Sequence, residues 1–192
     1  MWQGQPIRLT FQDEARVGRI NDVRRCWAPR PMRPLCQAML THEYTFAYAS
    51  CEPATGTMDA LILLQVNTQC VQLFLDTVAA RHVSNPIVMV MDGAGWHSSK
   101  KLIAPSNIRL LALPPYAPEL NPVEHLWHEL REKCFHNKVF ASIDDGITER
   151  WKGSFMCHSA TAPRVHGLRR CNMVSFVAAV VCTGGVAQGG ST

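Results

Sequence analysis

The spacing of apolar residues predicts three strands in the first third of the chain. Residues 7–13 alternate between apolar and polar side chains, so a strand would place Asp13 on the same face as three apolar residues. Residues 44–50 and 61–66 are two further apolar stretches, separated by turn-forming residues. The three strands are expected to form an antiparallel meander. Asp13 would end the first strand, where its carboxylate either reaches water or meets a cation.

The middle of the chain changes to helical spacing and then to strands buried on both faces. Asn67 is a suitable N-cap for a helix over residues 67–82, in which apolar side chains recur at intervals of three and four. Residues 87–91 are consecutive apolar residues, typical of a strand inside an α/β sheet. Asp92 follows directly, at the edge where α/β sites tend to lie. Another strand is predicted at residues 108–113.

A proline-rich corner at residues 114–118 leads into the most clearly predicted helix. Asn121 is its expected N-cap, and Pro122 suits the first helical position. Glu124 falls where a carboxylate can close a capping box. Apolar residues at helical spacing from Val123 onward give the helix one buried face. Capping alone is therefore a sufficient structural explanation of Glu124.

Length and composition favour one globular domain. The chain has 192 residues, of which 47% are hydrophobic, so global disorder is excluded. Its eight cysteines show no regular spacing and no secretory signal precedes them, so reduced thiols in a cytoplasm are expected. No segment approaches the ~20 apolar residues of a membrane span. No membrane partner is expected.

Charge is distributed unevenly along the chain. The formal net charge is +4, and residues 151–192 account for it because they contain four basic residues and no acidic one. A cluster of arginines near the N-terminus is more informative, because beside a carboxylate site it would hold phosphates. Such a cluster is also typical of an ordinary solvated surface. The candidate phosphate-binding residues are Arg16, Arg24, Arg25, Arg30 and Arg33.

Three motifs occur in a fixed order, FQDEARVG, VMVMDGAGWHSSK and LPPYAPELNPVEHLWHELR. With them the sequence resembles the catalytic domain of mariner-like DDE transposases, in the bacterial insertion-sequence branch. The resemblance covers about residues 7–148 and implies a ribonuclease H-like α/β fold, a mixed five-stranded sheet flanked by helices. Residues 1–148 are thus expected to form the catalytic domain. Residues 149–192 lack an amphipathic period and are expected to be an atypical tail, disordered or produced by a reading-frame change.

The resemblance implies that Asp13, Asp92 and Glu124 are the catalytic residues and the metal ligands. Three carboxylates on separate elements also suit magnesium, which prefers oxygen ligands. Two Mg²⁺ ions, for which Mn²⁺ can substitute, would lie about 4 Å apart and serve the attacking and leaving oxygens. Glu14 would point to the opposite face of its strand and is the weaker candidate. Glu119 precedes the helix cap and is not expected to be a ligand.

Four other residues near these motifs have expected roles. His97 and Asn121 are expected to orient a metal-binding carboxylate or DNA, with an ordinary loop histidine as the alternative for His97. Trp96 and Trp127 are expected to be core residues instead of base-stacking platforms.

The implied function is cleavage of DNA at transposon ends, followed by strand transfer of the 3′-hydroxyl into target DNA. Double-stranded DNA is the expected partner, and the active complex is expected to be a homodimer. Met1 stands only twelve residues before Asp13, so a separate helix-turn-helix chain is expected to supply DNA recognition. Two alternatives stay open. One is an inactive truncated remnant that only binds DNA or partner transposase, and the other is a different ribonuclease H-like nuclease.

Overall fold

The computed structural model describes residue 2 and residues 4–18, 25, 27–33, 35, 44–132 and 172–177. The elements in chain order are β1 (Arg8–Gly18), β2 (Tyr44–Glu52), β3 (Thr57–Leu63), α1 (Thr68–Arg81), β4 (Ile87–Met91), β5 (Ile108–Ala112), a 3-10 helix (Pro118–Leu120), α2 (Pro122–Leu130) and β6 (Asn172–Val177).

The strands form one mixed sheet in the order β5-β4-β1-β2-β3-β6. β1, β2 and β3 are antiparallel neighbours, whereas β4 is parallel to β1 and β5 is parallel to β4. The mixed five-stranded sheet with flanking helices is therefore confirmed. β6 adds a sixth strand, parallel to β3. The rest of the predicted tail lies outside the described residues, and the domain boundary at residue 148 stays a prediction.

The two helices cover opposite faces of the sheet. α1 packs Phe74 against Tyr48, with ring centroids 5.9 Å apart, in a core that extends over β3, β4 and β5. α2 packs Trp127 against the other face, where the strands present mainly small side chains. Those small residues leave room for the indole ring. They are Ala15, Ala47, Ala49 and Ala60.

Local capping signals are confirmed at both helices. Asn67 accepts a hydrogen bond from the Cys70 amide at 2.9 Å and caps α1. Asn121 accepts one from the Val123 amide at 3.2 Å and caps α2. β4 also has its predicted bounds. Within the described part of the chain, no helix combines the length and apolar character needed to cross a bilayer.

β1 is longer than predicted. The alternating pattern predicts that Asp13 ends the strand, but β1 continues to Gly18 because its pairing with β2 extends until Gly18 lies opposite Tyr44. The prediction of the strand end was wrong, and Asp13 lies inside the sheet. The residues before and after Asp13 are therefore both paired with β2, which fixes the backbone that carries its carboxylate.

β3 begins at Thr57, four residues before its predicted start. Asp59 interrupts the apolar pattern, so the pattern did not indicate the first half of the strand. The fold nevertheless buries this carboxylate, because Arg81 and His82 contact its two oxygens. The contacts of Asp59 with Arg81 and His82, which are distant in the sequence, explain why β3 begins earlier than predicted.

Candidate active site

Asp13 lies on the face of β1 that α2 covers. Alternation along the strand places it between Phe11 and Ala15, which both belong to the core beneath α2. The residue is 8% exposed. Trp127 donates its Nε1–H to Asp13 Oδ2 at 2.9 Å. One carboxylate oxygen is thus fixed by a side chain 114 positions further along the chain.

The surroundings of Asp13 oppose its ionisation. Burial has the largest effect and, together with the negative charge of Glu124, raises the pKa of Asp13 from its ordinary value of 3.8 to about 7. Hydrogen bonds from the Glu14 amide and from Trp127 lower this pKa but do not outweigh burial. A cation beside the carboxyl would favour the ionised form. Among the described residues, the charged groups that act on this carboxyl are negative.

Asp92 follows β4 and lies beside Asp13. The parallel register pairs Phe11 with Val90, and each aspartate comes two residues later in the sequence. The Asp92 side chain is 51% exposed. Its Oδ1 accepts a hydrogen bond from the Ala94 amide at 3.0 Å and contacts the His97 ring nitrogen Nδ1 at 2.6 Å. One oxygen of this exposed carboxylate is thereby held in place.

Glu124 lies exposed in the first turn of α2. The capping box that would have explained it is not formed, because the Asn121 amide donates to the Pro118 carbonyl at 2.9 Å. The Asn121 side chain instead joins two elements. Its Oδ1 caps the helix, and its Nδ2 donates to the Gln12 carbonyl at 3.2 Å. The start of α2 is thereby fixed to β1 beside Asp13.

The three carboxylates line one cleft of about 380 Å³. Glu119, which the resemblance excludes as a ligand, does not line it. Among the described residues, no group of three histidine, cysteine, aspartate or glutamate side chains forms a complete metal site. The donor set nevertheless suits a hard divalent cation, because all three side chains offer oxygen and Asp13 is buried close to other negative charges. The remaining lining residues are Gly93, Ala94, Leu113, Pro114, Pro115, Tyr116, Ala117, Pro118 and Asn121.

His97 connects Asp92 to Glu14, a residue that the sequence ranked lower. The second ring nitrogen of His97, Nε2, contacts Glu14 Oε1 at 2.9 Å, and the Gln12 side-chain amide donates to the same oxygen at 3.0 Å. The side chains of His97 and Glu14 are 3% and 7% exposed. Burial by itself lowers the pKa of His97, but the hydrogen bond and charge of Glu14, with the charge of Asp92, raise it above 6.5.

The two tryptophans differ in environment. Trp127 is 1% exposed, so the prediction of a core residue is confirmed, and its hydrogen bond to Asp13 is an additional role that the sequence did not indicate. Trp96 is 38% exposed, so the same prediction is wrong for it. It lies in the turn after β4, with its ring edge-on to that of His97 at 6.1 Å between centroids. At this loop position more than a third of the residue's surface is open to water.

The arginine cluster is described only in part. Arg16 is exposed on β1, and its guanidinium lies over the Tyr44 ring at 4.6 Å from the centroid. Arg24 lies outside the described residues. No described member of the cluster lines the carboxylate cleft. The other exposed members are Arg25, Arg30 and Arg33.

Comparison with solved structures shows which folds the chain resembles. The Mos1 transposase paired-end complex with left transposon end has a TM-score of 0.61 and 15% identity, over 85% of this chain and 52% of that chain. The Mos1 mariner paired-end complex with Mn has a TM-score of 0.61 and 16% identity, over 83% of this chain and 50% of that chain. The catalytic core of BIV integrase has a TM-score of 0.50 and 12% identity, over 85% of this chain and 90% of that chain. The ribonuclease H-like fold is confirmed, and the chain spans about half the length of the Mos1 chains.

Sequence comparison supports the same family. An uncharacterized protein of Sinorhizobium fredii (strain NBRC 101917 / NGR234), y4pE/y4sA, is 36% identical over 107 residues, which make up 55% of this chain and 78% of that protein. The family model of the DDE superfamily endonucleases matches residues 8–146. The resemblance to the DDE catalytic domain is therefore confirmed, while the insertion-sequence branch stays a prediction. The chain belongs to the DDE superfamily of endonucleases.

Proposed function

We propose that this chain is the catalytic domain of a transposase that cuts DNA phosphodiester bonds at transposon ends and joins the 3′-hydroxyl to target DNA. One observation carries the proposal. Asp13, Asp92 and Glu124, supplied by two parallel strands and a helix, line a single cleft. Their order along the chain is that of the DDE triad, and membership of the DDE endonucleases supports the assignment.

The three carboxylates would hold two Mg²⁺ ions, and Mn²⁺ would substitute. The similarity to Mos1 complexes with Mn and with Mg supports the use of a divalent metal. When bound, the ions would lower the pKa of the attacking water or 3′-hydroxyl and stabilise the leaving oxygen. The raised pKa of Asp13 fits this role, because a cation would favour the ionised form of a buried carboxylate whose charged neighbours, among the described residues, are negative.

The neighbouring residues act by holding the three carboxylates in position. Trp127 fixes one oxygen of Asp13, which would leave the other for a metal ion in the cleft that Asp13 lines. His97 and the Ala94 amide fix Oδ1 of Asp92 in the same way. Asn121 fixes the start of α2 to β1 and therefore the position of the helix turn that carries Glu124.

The partners follow from this chemistry. Double-stranded DNA, as transposon end and as target, is the proposed substrate, and the similarity to Mos1 assemblies on transposon ends supports it. Exposed arginines near the start of the chain, Arg16, Arg25, Arg30 and Arg33, would contact phosphates. A homodimer as the active complex, a separate helix-turn-helix chain and a cytoplasmic setting belong to the same proposal.

A second candidate is another ribonuclease H-like nuclease. The fold supports it too, because the catalytic core of BIV integrase matches this chain over 90% of its own length. A remnant that binds DNA without cutting it is the third candidate. The three candidates differ in whether DNA is cut and which end is left.

The test uses supercoiled DNA or inverted-repeat ends with Mg²⁺ or Mn²⁺. The wild-type chain should produce nicks with 3′-hydroxyl ends, and Asp92→Asn and Glu124→Gln should each lose about a thousand-fold in rate. Glu119→Gln is the matched control, because this exposed glutamate lies outside the cleft, and it should cut as the wild type does. Equal nicking by all four proteins would refute the triad.

Two further outcomes favour the other candidates. Cleavage of RNA–DNA hybrids without action on transposon ends would favour a different nuclease. DNA binding by the wild type with no nicking in either metal would favour the inactive remnant.

A further inference from the structure

Tyr116 stands fully exposed at the rim of the carboxylate cleft. Its relative exposure is 101%, so the ring adds nothing to the packing of the described fold. It lines the same cleft as Asp13, Asp92 and Glu124. An aromatic ring left in water forgoes the free energy that burial would give. A ligand explains its position better than folding does.

The backbone holds this ring outward at a conformational cost. Among the described residues other than glycine, Tyr116 alone has a positive φ, of 60°. That left-handed conformation is unfavourable for residues with a Cβ and uncommon for bulky ones. Pro115 directly before it and Pro118 two residues after it each have a fixed φ angle. Strain of this kind collects at ligand-binding sites.

The chemistry of the surrounding wall narrows the class of ligand. No lysine, arginine or histidine occurs among the described residues that line the cleft. The three prolines of residues 113–118 have no amide N–H, and the Leu113 amide donates to the Met91 carbonyl at 2.8 Å. This part of the cleft is therefore poor in the donors that hold phosphate. It suits a flat apolar group.

We propose that Tyr116 is a stacking platform for one unpaired DNA base next to the phosphodiester that the carboxylate cleft binds. The inference rests on the proposed DNA substrate. Every base has an apolar face, so an aromatic ring binds an unstacked base without selecting its sequence. A paired base is already covered on both faces by its neighbours. The platform therefore acts on bases that have left the duplex at the cleavage site.

The test uses a short DNA duplex with an unpaired overhang that contains one 2-aminopurine, whose fluorescence falls when an aromatic ring stacks on it. The wild type and Tyr116→Phe, which keeps the ring, should quench the probe. Tyr116→Ala should lose the quenching and bind the overhang about ten-fold more weakly. Leu120→Ala is the matched control, since this residue is 52% exposed but lies outside the cleft. It should behave as the wild type does.

Three results with the overhang would overturn the platform. They are quenching by Tyr116→Ala at the wild-type level, an equal loss in Leu120→Ala, and a wild type that does not quench at all. A fully paired version of the same duplex should bind Tyr116→Ala and the wild type equally. An equal ten-fold loss there would assign Tyr116 to general DNA binding and overturn the stacking role.

Plasmid nicking separates this inference from the proposed function. A wild type that nicks without quenching keeps the proposed function and loses the platform. A wild type that quenches without nicking keeps the platform and loses the proposed cleavage. Because the Tyr116 ring is exposed, thermal unfolding of Tyr116→Ala should match the wild type.

Discussion

Two regions of the sheet bury an aspartate, and they surround it in opposite ways. Asp59 on β3 is 3% exposed, and its two oxygens contact Arg81 at 3.1 Å and His82 at 2.8 Å. Asp13 on β1 is 8% exposed, but its hydrogen bonds come from Trp127 and a backbone amide. Within the described part of the chain, the charged groups that act on it are themselves carboxylates. Basic partners stabilise the charged form of Asp59, whereas burial and neighbouring carboxylates disfavour the charged form of Asp13.

The difference separates a structural carboxylate from one suited to bind a cation. Glu52 follows the pattern of Asp59, because Arg8 donates both Nε and a terminal nitrogen to its Oε2 at 3.0 and 2.9 Å. Such pairs satisfy buried charge within the fold. Asp13 keeps an electrostatic cost in the metal-free protein, which a divalent cation would remove. Where the fold leaves a buried carboxylate without basic partners, ligand binding is the simplest explanation.

The largest expected effect comes from neutralising the opposed carboxylate. Asp13→Asn should reduce metal-dependent nicking by about a thousand-fold, because one proposed metal ligand loses its charge. In EDTA near neutral pH the same variant should be at least as stable as the wild type, since its amide oxygen still accepts from Trp127 and the repulsion by Glu124 is gone. Nicking rates and urea unfolding measure the two effects. A variant that cuts normally or unfolds more easily would contradict this account of the site.

The satisfied carboxylate should behave in the opposite way. Asp59→Asn should destabilise the fold by about 3–5 kcal/mol, because Arg81 and His82 would remain partly buried without their partner. Urea unfolding at neutral pH measures the loss. Asp76→Asn, at an exposed position of α1, is the matched control and should change stability by less than about 0.5 kcal/mol. Equal small effects of the two substitutions would remove the distinction between the regions.

Local patterns in the sequence were sufficient for most elements and for the order of the three carboxylates. The caps at Asn67 and Asn121 depend on residues within a few positions, and the apolar run of β4 is unambiguous. The contacts that complete the site are not local. Trp127 reaches Asp13 across 114 positions, so no periodic pattern encodes that contact.

Glu14 shows the limit of reasoning from alternation. Side chains alternate along β1, so Glu14 lies on the opposite face from Asp13, and this lowered its rank. The sequence predicted a positioning role for His97 but not its contact with Glu14, which it reaches from the turn after β4, 83 positions away. The acidic pair at residues 13–14 and the histidine after Asp92 were the available signals. Only the fold brings them together.

The next largest effect is the pH dependence of stability that Asp13 causes. The pKa of Asp13 is about 7 in the folded state and 3.8 as its ordinary value, so between these values the folded protein retains a proton that the unfolded chain has released. Stability should therefore fall, relative to Asp13→Asn, by on the order of 3 kcal/mol as the pH rises from about 4 to 7. Above about pH 7 the difference should become constant.

Urea unfolding of both proteins in EDTA measures this difference, because all other groups titrate in both. Saturating Mg²⁺ should remove the slope, since a cation favours the ionised carboxylate. A difference that does not change with pH in EDTA would contradict the raised pKa of Asp13. A slope that persists unchanged with Mg²⁺ would place the cation elsewhere.

The smallest expected effect concerns two histidines, one in each region, whose rings each contact two charged side chains. His82 lies between Arg8 and Asp59, and His97 lies between Glu14 and Asp92. Both partners of His82 are buried or half-buried. Of the two partners of His97, Asp92 has a side chain that is 51% exposed and lines the cleft. A carboxylate–histidine pair of this kind orients the group that it contacts. Glu14 is therefore expected to act on cleavage through the position of Asp92.

Glu14→Ala should reduce the nicking rate about ten-fold and raise the metal concentration needed for half-maximal rate, because outer contacts of this type contribute 10- to 100-fold. Glu14→Gln should restore most of the rate, since its amide oxygen can still accept from His97. Glu119→Ala, on the exposed 3-10 helix, is the control and should leave both values unchanged. A Glu14→Ala protein that loses stability but keeps the wild-type metal requirement would make Glu14 a purely structural residue, and the second region would then resemble the first.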